Sequence, residues 1–202
     1  MPSFFPVFSG LGSGSVFSEE NVGRAEENAL SPECAVLLQS CHRTFREQVS
    51  DAIARNILPE DSIDLDDFAE PASLIRPLSK YSRNVVMQHA ALYLHQILAY
   101  MTSQKELGNL IGSAGFCTGL LPAAVAAASQ TSVITLISQS HHFFQVALWI
   151  GIRSEQYRVD HLTNDTQDAD GESMLPCSYV LEGVSEAAAQ DLLHKTNMVR
   201  TE

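Results

Sequence analysis

The sequence is poor in positive charge. Twelve Lys and Arg stand against 24 Asp and Glu in 202 residues, a formal net charge of −12. That balance argues against nucleic acid or an anionic membrane surface as a partner. Long apolar runs are missing too, and none reaches transmembrane length without a polar interruption. The N-terminus has no basic region, and the apolar FFPVF at 4–8 breaks at Gly10. No signal pattern is present, so a cytoplasmic location is expected. Cysteine is sparse: Cys34, Cys41, Cys117 and Cys177, with no CxxC or Cys/His zinc spacing, so a metal site is not expected. Cys34 and Cys41 lie two helical turns apart, about 10 Å, too far to bridge. They read as reduced core residues. The loop Gly10–Ser15 is glycine-rich but lacks the Walker lysine and the GxGxxG spacing, which disfavours a nucleotide site.

What is present is ordinary globular composition, 45% hydrophobic and 18% charged, enough for one sizeable core and an appendage. FFPVF reads as a buried first strand. Ser18 to Ala29 is polar and acidic and reads as a surface loop. Ser31-Pro32 is a helix start, with a capping serine and proline at the first helical position. The helix it opens is predicted to run to about Asn56, burying Cys34, Leu37, Leu38, Cys41, Phe45, Val49, Ala52 and Ile53, with His42 and Arg43 toward solvent. Prolines break 56–81, where short helical turns are predicted near Leu65–Phe68 and Ser73–Ile75. A second long helix spans about Arg83 to Met101. A third runs from Thr131 to about Gln156. Adjacent His141 and His142 on it would point in different directions, a poor metal pair. Glu155 to Pro176 reads as an exposed acidic linker. Cys177–Val184 reads as a strand, and Ser185 caps a helix from about Glu186 to Lys195.

The chemistry concentrates at Gly108–Ser129. Leu110, Ile111 and Phe116 read as the end of a short buried strand, and the alanine-rich run from Gly119 as a helix whose first turns tolerate Pro122. Between them, Gly115-Phe116-Cys117-Thr118-Gly119 is the nucleophile-elbow pattern GxSxG with cysteine for serine. A strand turning straight into a helix cramps the backbone at the nucleophile. Glycines two positions either side let strand and helix approach. The helix N-terminus then favours a thiolate and an oxyanion. The bland alternative is a buried structural cysteine at a tight turn.

The run GFCTGLLPAA, with ALWIGIRSEQYR downstream and PVFSGLGS and SPECAVLLQSCHRTF upstream, resembles the starter-unit acyl carrier protein transacylase (SAT) domain of fungal non-reducing polyketide synthases. That domain is a relative of malonyl-CoA:ACP transacylases. The resemblance runs from Pro6 to the C-terminus and covers about the first half of such a domain. It implies an α/β fold: residues 1–158 as the N-terminal part of a helix-rich, truncated transacylase (α/β-hydrolase-like) large subdomain. A polar acidic linker would follow at 159–176, then the first β-α unit of a ferredoxin-like small subdomain at 177–202. It implies Cys117 as the nucleophile that holds the acyl group. It implies an oxyanion hole from the backbone N–H groups of Leu11, where the family has glutamine, and Thr118. Gln88 and His142 would line the acyl pocket. No resident cofactor or metal is implied. The donor would be an acyl-CoA or a fatty acid synthase, and the acceptor the phosphopantetheine thiol of an acyl carrier protein. Carrier proteins are usually acidic, so docking on this chain needs a local basic patch.

Malonyl-specific relatives place an arginine about where this chain has His141 and His142, and the next arginine is Arg153. An acetyl or longer uncharged acyl group therefore suits the site better than malonyl. The family's catalytic histidine comes from the second half of the fold, beyond Glu202; His161 and His194 have no matching context. Turnover is therefore expected to be impaired. A non-catalytic remnant or partner-binding module of a polyketide synthase is the alternative reading. An independent cysteine hydrolase of α/β-hydrolase type is disfavoured, because long helices rather than strands precede the elbow.

Overall fold

The computed structural model describes residues 3–11, 16–107, 109–129 and 132–162. Contacts divide the chain after Asp165, so everything described lies in the first unit. The expected linker beyond Leu162, and the strand and helix expected at 177–195, lie outside the described residues.

Strands are few and short. β1 (Ser3–Phe4) and β2 (Val7–Phe8) run parallel to β3 (Asn109–Leu110) and β4 (Ala114–Gly115), with Phe4 opposite Leu110 and Phe8 opposite Gly115. The bonds Ile111 N–H to Phe4 O, Ala114 N–H to Pro6 O and Phe116 N–H to Phe8 O join the two pairs into one broken ladder. Helices fill the long crossover between the paired segments: α1 (Glu19–Ala29), α2 (Pro32–Ala54) and α3 (Val85–Leu107). Three 3₁₀ turns, Leu65–Phe68, Pro71–Leu74 and Ser79–Tyr81, lie between α2 and α3. After the elbow come α4 (Leu120–Ala128) and α5 (Val133–Leu162). The result is a helix-rich partial α/β arrangement.

The strand expected to be buried is buried on one side only. Phe8 packs edge-on against Tyr100 of α3, with centroids 5.9 Å apart. Phe5, Val7, Ile111 and Phe116 are instead exposed, Ile111 by 68% and Phe116 by 70%. Strand side chains alternate between faces. The helices cover one face, and among the described residues only these two chain segments pair, so the other face stays open.

Ser18 to Ala29 is not a loop. Ser18 Oγ accepts from Asn21 N–H and caps α1, Glu19 and Glu20 sit in its first turn, and Val22 and Ala25 are buried. The signal was a capping serine followed by acids, favourable at a helix's positive end; the low apolar content hid it. The α2 start holds as read: Ser31 caps it and Pro32 opens it. His42, expected toward solvent, is buried, and its Nε2–H donates to Phe68 O at 2.8 Å. The Leu65–Phe68 turn folds over that side of α2, and Phe68 stacks between Phe45 and Tyr81 at 5.0 and 5.1 Å. α3 is buried nearly all round, including Val86, Met87, Ala90, Tyr93, Leu94, Ile97 and Leu98, and packs chiefly against α5 and α1. Tyr93 donates its hydroxyl to Ser140 O of α5 at 2.8 Å. α5 outruns its expected end at Gln156. Glu155 is buried rather than in a linker, and it forks onto Arg158 one turn later.

Candidate active site at the Cys117 elbow

β4 delivers the chain to Phe116, a 3₁₀ turn spans Cys117–Gly119, and α4 follows without a break. Cys117 has φ 53°, in the left-handed region that costs an L-residue about 1–2 kcal/mol. Among the described residues the other positive-φ residue besides glycine is Asn56, a type that tolerates it at a helix end. Strain held at a cysteine between strand and helix is what the elbow pattern requires.

The flanking glycines earn their place by contact. A Cβ on Gly115 would fall on the Gly119 carbonyl, and one on Gly119 would lie 2.5 Å from Phe8 O and 2.7 Å from Ser9 O. A third glycine joins them, one that the motif did not reveal. A Cβ on Gly10 would sit 2.8 Å from Cys117 Cβ and 3.0 Å from Phe116 O. The loop after β2 thus lies directly against the cysteine. Leu11 follows Gly10 and packs with Val16, Ala91 and Leu92.

The thiol is exposed while Thr118 and Gly119 beneath it are buried. Cys117 Sγ lies 3.7 Å from Thr118 Oγ1. As at any helix start, the first N–H groups of the turn, those of Cys117 and Thr118, have no acceptor within it. The other described cysteines contrast with it. Cys34 and Cys41 are buried and free, and burial pushes the Cys41 thiol well up, which makes it unreactive.

The described histidine side chains are engaged away from the sulfur. His42, His89 and His95 bond to the carbonyls of Phe68, Val85 and Ile75, and His141 Nε2 lies 2.8 Å from Thr44 Oγ1. Burial lowers the pKa of His89, His95 and His141, with Arg43 and then His142 adding to the effect at His141. His142 turns the other way, into a groove of about 840 Å³ with Gln48, Trp149, Ile150, Arg153 and Tyr157. Arg153 stacks on Trp149, 5.5 Å from the ring centroid. Neither Cys117 nor Gln88 lines that groove. Gln88 instead donates to Ser82 O at 2.8 Å. The structure therefore gathers Cys117, Thr118, Gly115, Gly119 and the Gly10–Leu11 loop in one place. His161 falls in the last turn of α5, and its side chain is outside the described residues.

The family model described as "Starter unit:ACP transacylase in aflatoxin biosynthesis" matches residues 27–201. The chain belongs to the starter-unit acyl carrier protein transacylase family. It is 34% identical over 208 residues to orsellinic acid synthase ArmB of Armillaria ostoyae, and 31% identical over 203 residues to orsellinic acid synthase armB of Armillaria mellea. Each alignment covers 93% of this chain and 9% of the relative, so the chain spans about a tenth of the length of these synthases. No solved structure matches it significantly. Among the described residues no helix is long and apolar enough to cross a membrane.

Proposed function

We propose that this chain carries the nucleophile of a starter-unit acyltransferase of polyketide biosynthesis. The observation that carries the reading is Cys117 at φ 53°, exposed, between a parallel strand and a helix, and walled by Gly10, Gly115 and Gly119. In this reading the Cys117 thiolate attacks the carbonyl of an acyl thioester. The N–H groups of Leu11 and Thr118 stabilise the oxyanion. Coenzyme A leaves as its thiol, and the acyl group stays on Cys117 until the phosphopantetheine thiol of an acyl carrier protein takes it.

An uncharged acyl group, acetyl or longer, fits better than malonyl, since histidines stand where malonyl-specific relatives have arginine. Arg153 lines the same groove as His142, but its guanidinium lies on Trp149 and donates to Gln156, so it is already engaged. The wider fold is read as the large subdomain of a transacylase that runs to the end of α5 at Leu162, with a linker from there to 176 and 177–202 as the start of a ferredoxin-like subdomain. A cytoplasmic location accompanies this reading.

The second reading, a partner-binding remnant without turnover, is favoured by one observation: no described histidine side chain bonds to Cys117. Intact mass after incubation with acetyl- or hexanoyl-CoA separates the two. An acyl adduct that disappears in Cys117→Ala supports the transferase. A folded protein that gains no adduct sinks it for this chain.

A further inference from the structure

Gln96 was not singled out by the sequence, where it is one polar position in a long helix. In the structure it bridges α3 to the loop beside the nucleophile. Its Nε2 donates to Ser9 O at 2.7 Å and to Ser9 Oγ at 3.1 Å. A carbonyl oxygen only accepts, which fixes the orientation of the amide. Its Oε1 is buried without a hydrogen-bond partner among the described residues, a cost that the two donated bonds must outweigh for the side chain to stay. One helical turn earlier on the same face, Leu92 packs against Leu11. α3 therefore grips the 9–11 loop twice, by an amide at Ser9 and by apolar contact at Leu11. The loop's opposite side meets the elbow: Gly10 abuts Cys117 Cβ and the Phe116 carbonyl, and Ser9 O crowds Gly119.

We propose that Gln96 is a positioning residue that fixes the Ser9–Leu11 loop against Cys117, and with it the Leu11 N–H that would face the oxyanion. The catalytic half of this inference rests on the acyl-transfer reading of Cys117; the structural half does not. In the step concerned, the bond from Cys117 Sγ to the acyl carbon forms and the bond from that carbon to the coenzyme A sulfur breaks. The Cys117 thiol proton ends on the departing thiol. Only the tetrahedral stage between these events calls on the loop.

The test uses the full chain with Gln96→Met, which keeps volume and removes the amide, and Gln96→Glu, which keeps shape and replaces the donor with an acceptor. Hydrogen exchange at residues 9–11 is expected to rise about tenfold in both variants, while the α2 and α5 amides stay protected. Acylation of Cys117 by hexanoyl-CoA is expected to fall by at least about tenfold, up to the hundredfold typical of a lost oxyanion donor. Alkylation of Cys117 by iodoacetamide, followed by peptide mapping, passes through no oxyanion and is expected to stay within about twofold of the unsubstituted protein. Equal losses in acylation and alkylation would overturn the proposal. So would unchanged exchange at 9–11 in Gln96→Met, even if Gln96→Glu misfolds. If the unsubstituted chain forms no acyl adduct, the acyl-transfer reading fails alone, and the exchange result still decides whether Gln96 holds the loop.

Discussion

The elbow at Cys117 and the groove along α5 are built by opposite means. At the elbow, backbone touches backbone. Phe8 O, Ser9 O and the Gly119 carbonyl occupy the space where side chains would stand, and the one reactive side chain is held at φ 53°. Along α5, side chains lie open on a helix surface, with Val146, Ile150 and Tyr157 each more than 40% exposed and Arg153 resting on Trp149. The first arrangement fixes one atom's position at the cost of strain. The second fixes little and tolerates replacement.

The largest test of that contrast is Gly119→Ala. Its Cβ would displace the Phe8 carbonyl, which accepts the Phe116 N–H of the ladder, and the Ser9 carbonyl, which accepts from Gln96. A loss of several kcal/mol is expected, within the range of severe core overpacking and broken backbone pairing. Urea unfolding would show it as a sharply lower midpoint or an unfolded protein; near-native stability would mean that the elbow is looser than the geometry indicates.

Next in size is a comparison at the nucleophile itself. Cys117→Gly is expected to be more stable than Cys117→Ala by about 1 kcal/mol, because glycine accepts positive φ without strain. Equal stabilities would mean that the left-handed backbone carries no strain.

A smaller effect separates the helical body from the elbow by pH. Burial lowers the pKa of His89 and His95 below the ordinary 6.5, so the folded state disfavours their protonation. The stability they contribute is present above pH 6.5 and is lost as pH falls through their folded values. The melting temperature is expected to drop between pH 7.5 and 5. His95→Gln should flatten that slope, and an unchanged slope would remove His95 as its source.

The smallest change is expected in the groove. Ile150→Ala should leave stability within about 0.5 kcal/mol and Cys117 acylation unaltered, as for open surface positions. A clear loss of acylation would join the groove to the site functionally.

These contrasts track what could be seen in the sequence. GFCTG announced the elbow because close backbone approach demands glycine at fixed spacing, and no other residue type substitutes for it. Ser31-Pro32 announced α2 because capping is equally local. Gln96 gave no local sign, and Gly10 gave only that of a glycine-rich loop, not its contact with Cys117. Each matters through a segment about ninety to a hundred residues away, which only the folded chain brings near. His42 misled for a related reason. It was read as facing solvent, but the turn ending at Phe68 that covers it comes from another part of the chain. The outward strand residues Ile111 and Phe116 misled in the opposite direction, since apolar character alone does not say which face of a sheet is covered.

The pairing of Phe8 with Gly115 has a kinetic side. These residues are more than a hundred positions apart, and closing a loop of that length costs about 4 kcal/mol of chain entropy by the logarithmic rule. Helices form in about a microsecond, whereas contacts between distant segments set the slow steps of folding. The helical body must therefore gather before β2 meets β4, and only that meeting turns an ordinary cysteine into one aimed out of the fold. In a refolding experiment, the moment at which the protein can first be acylated would mark the end of folding.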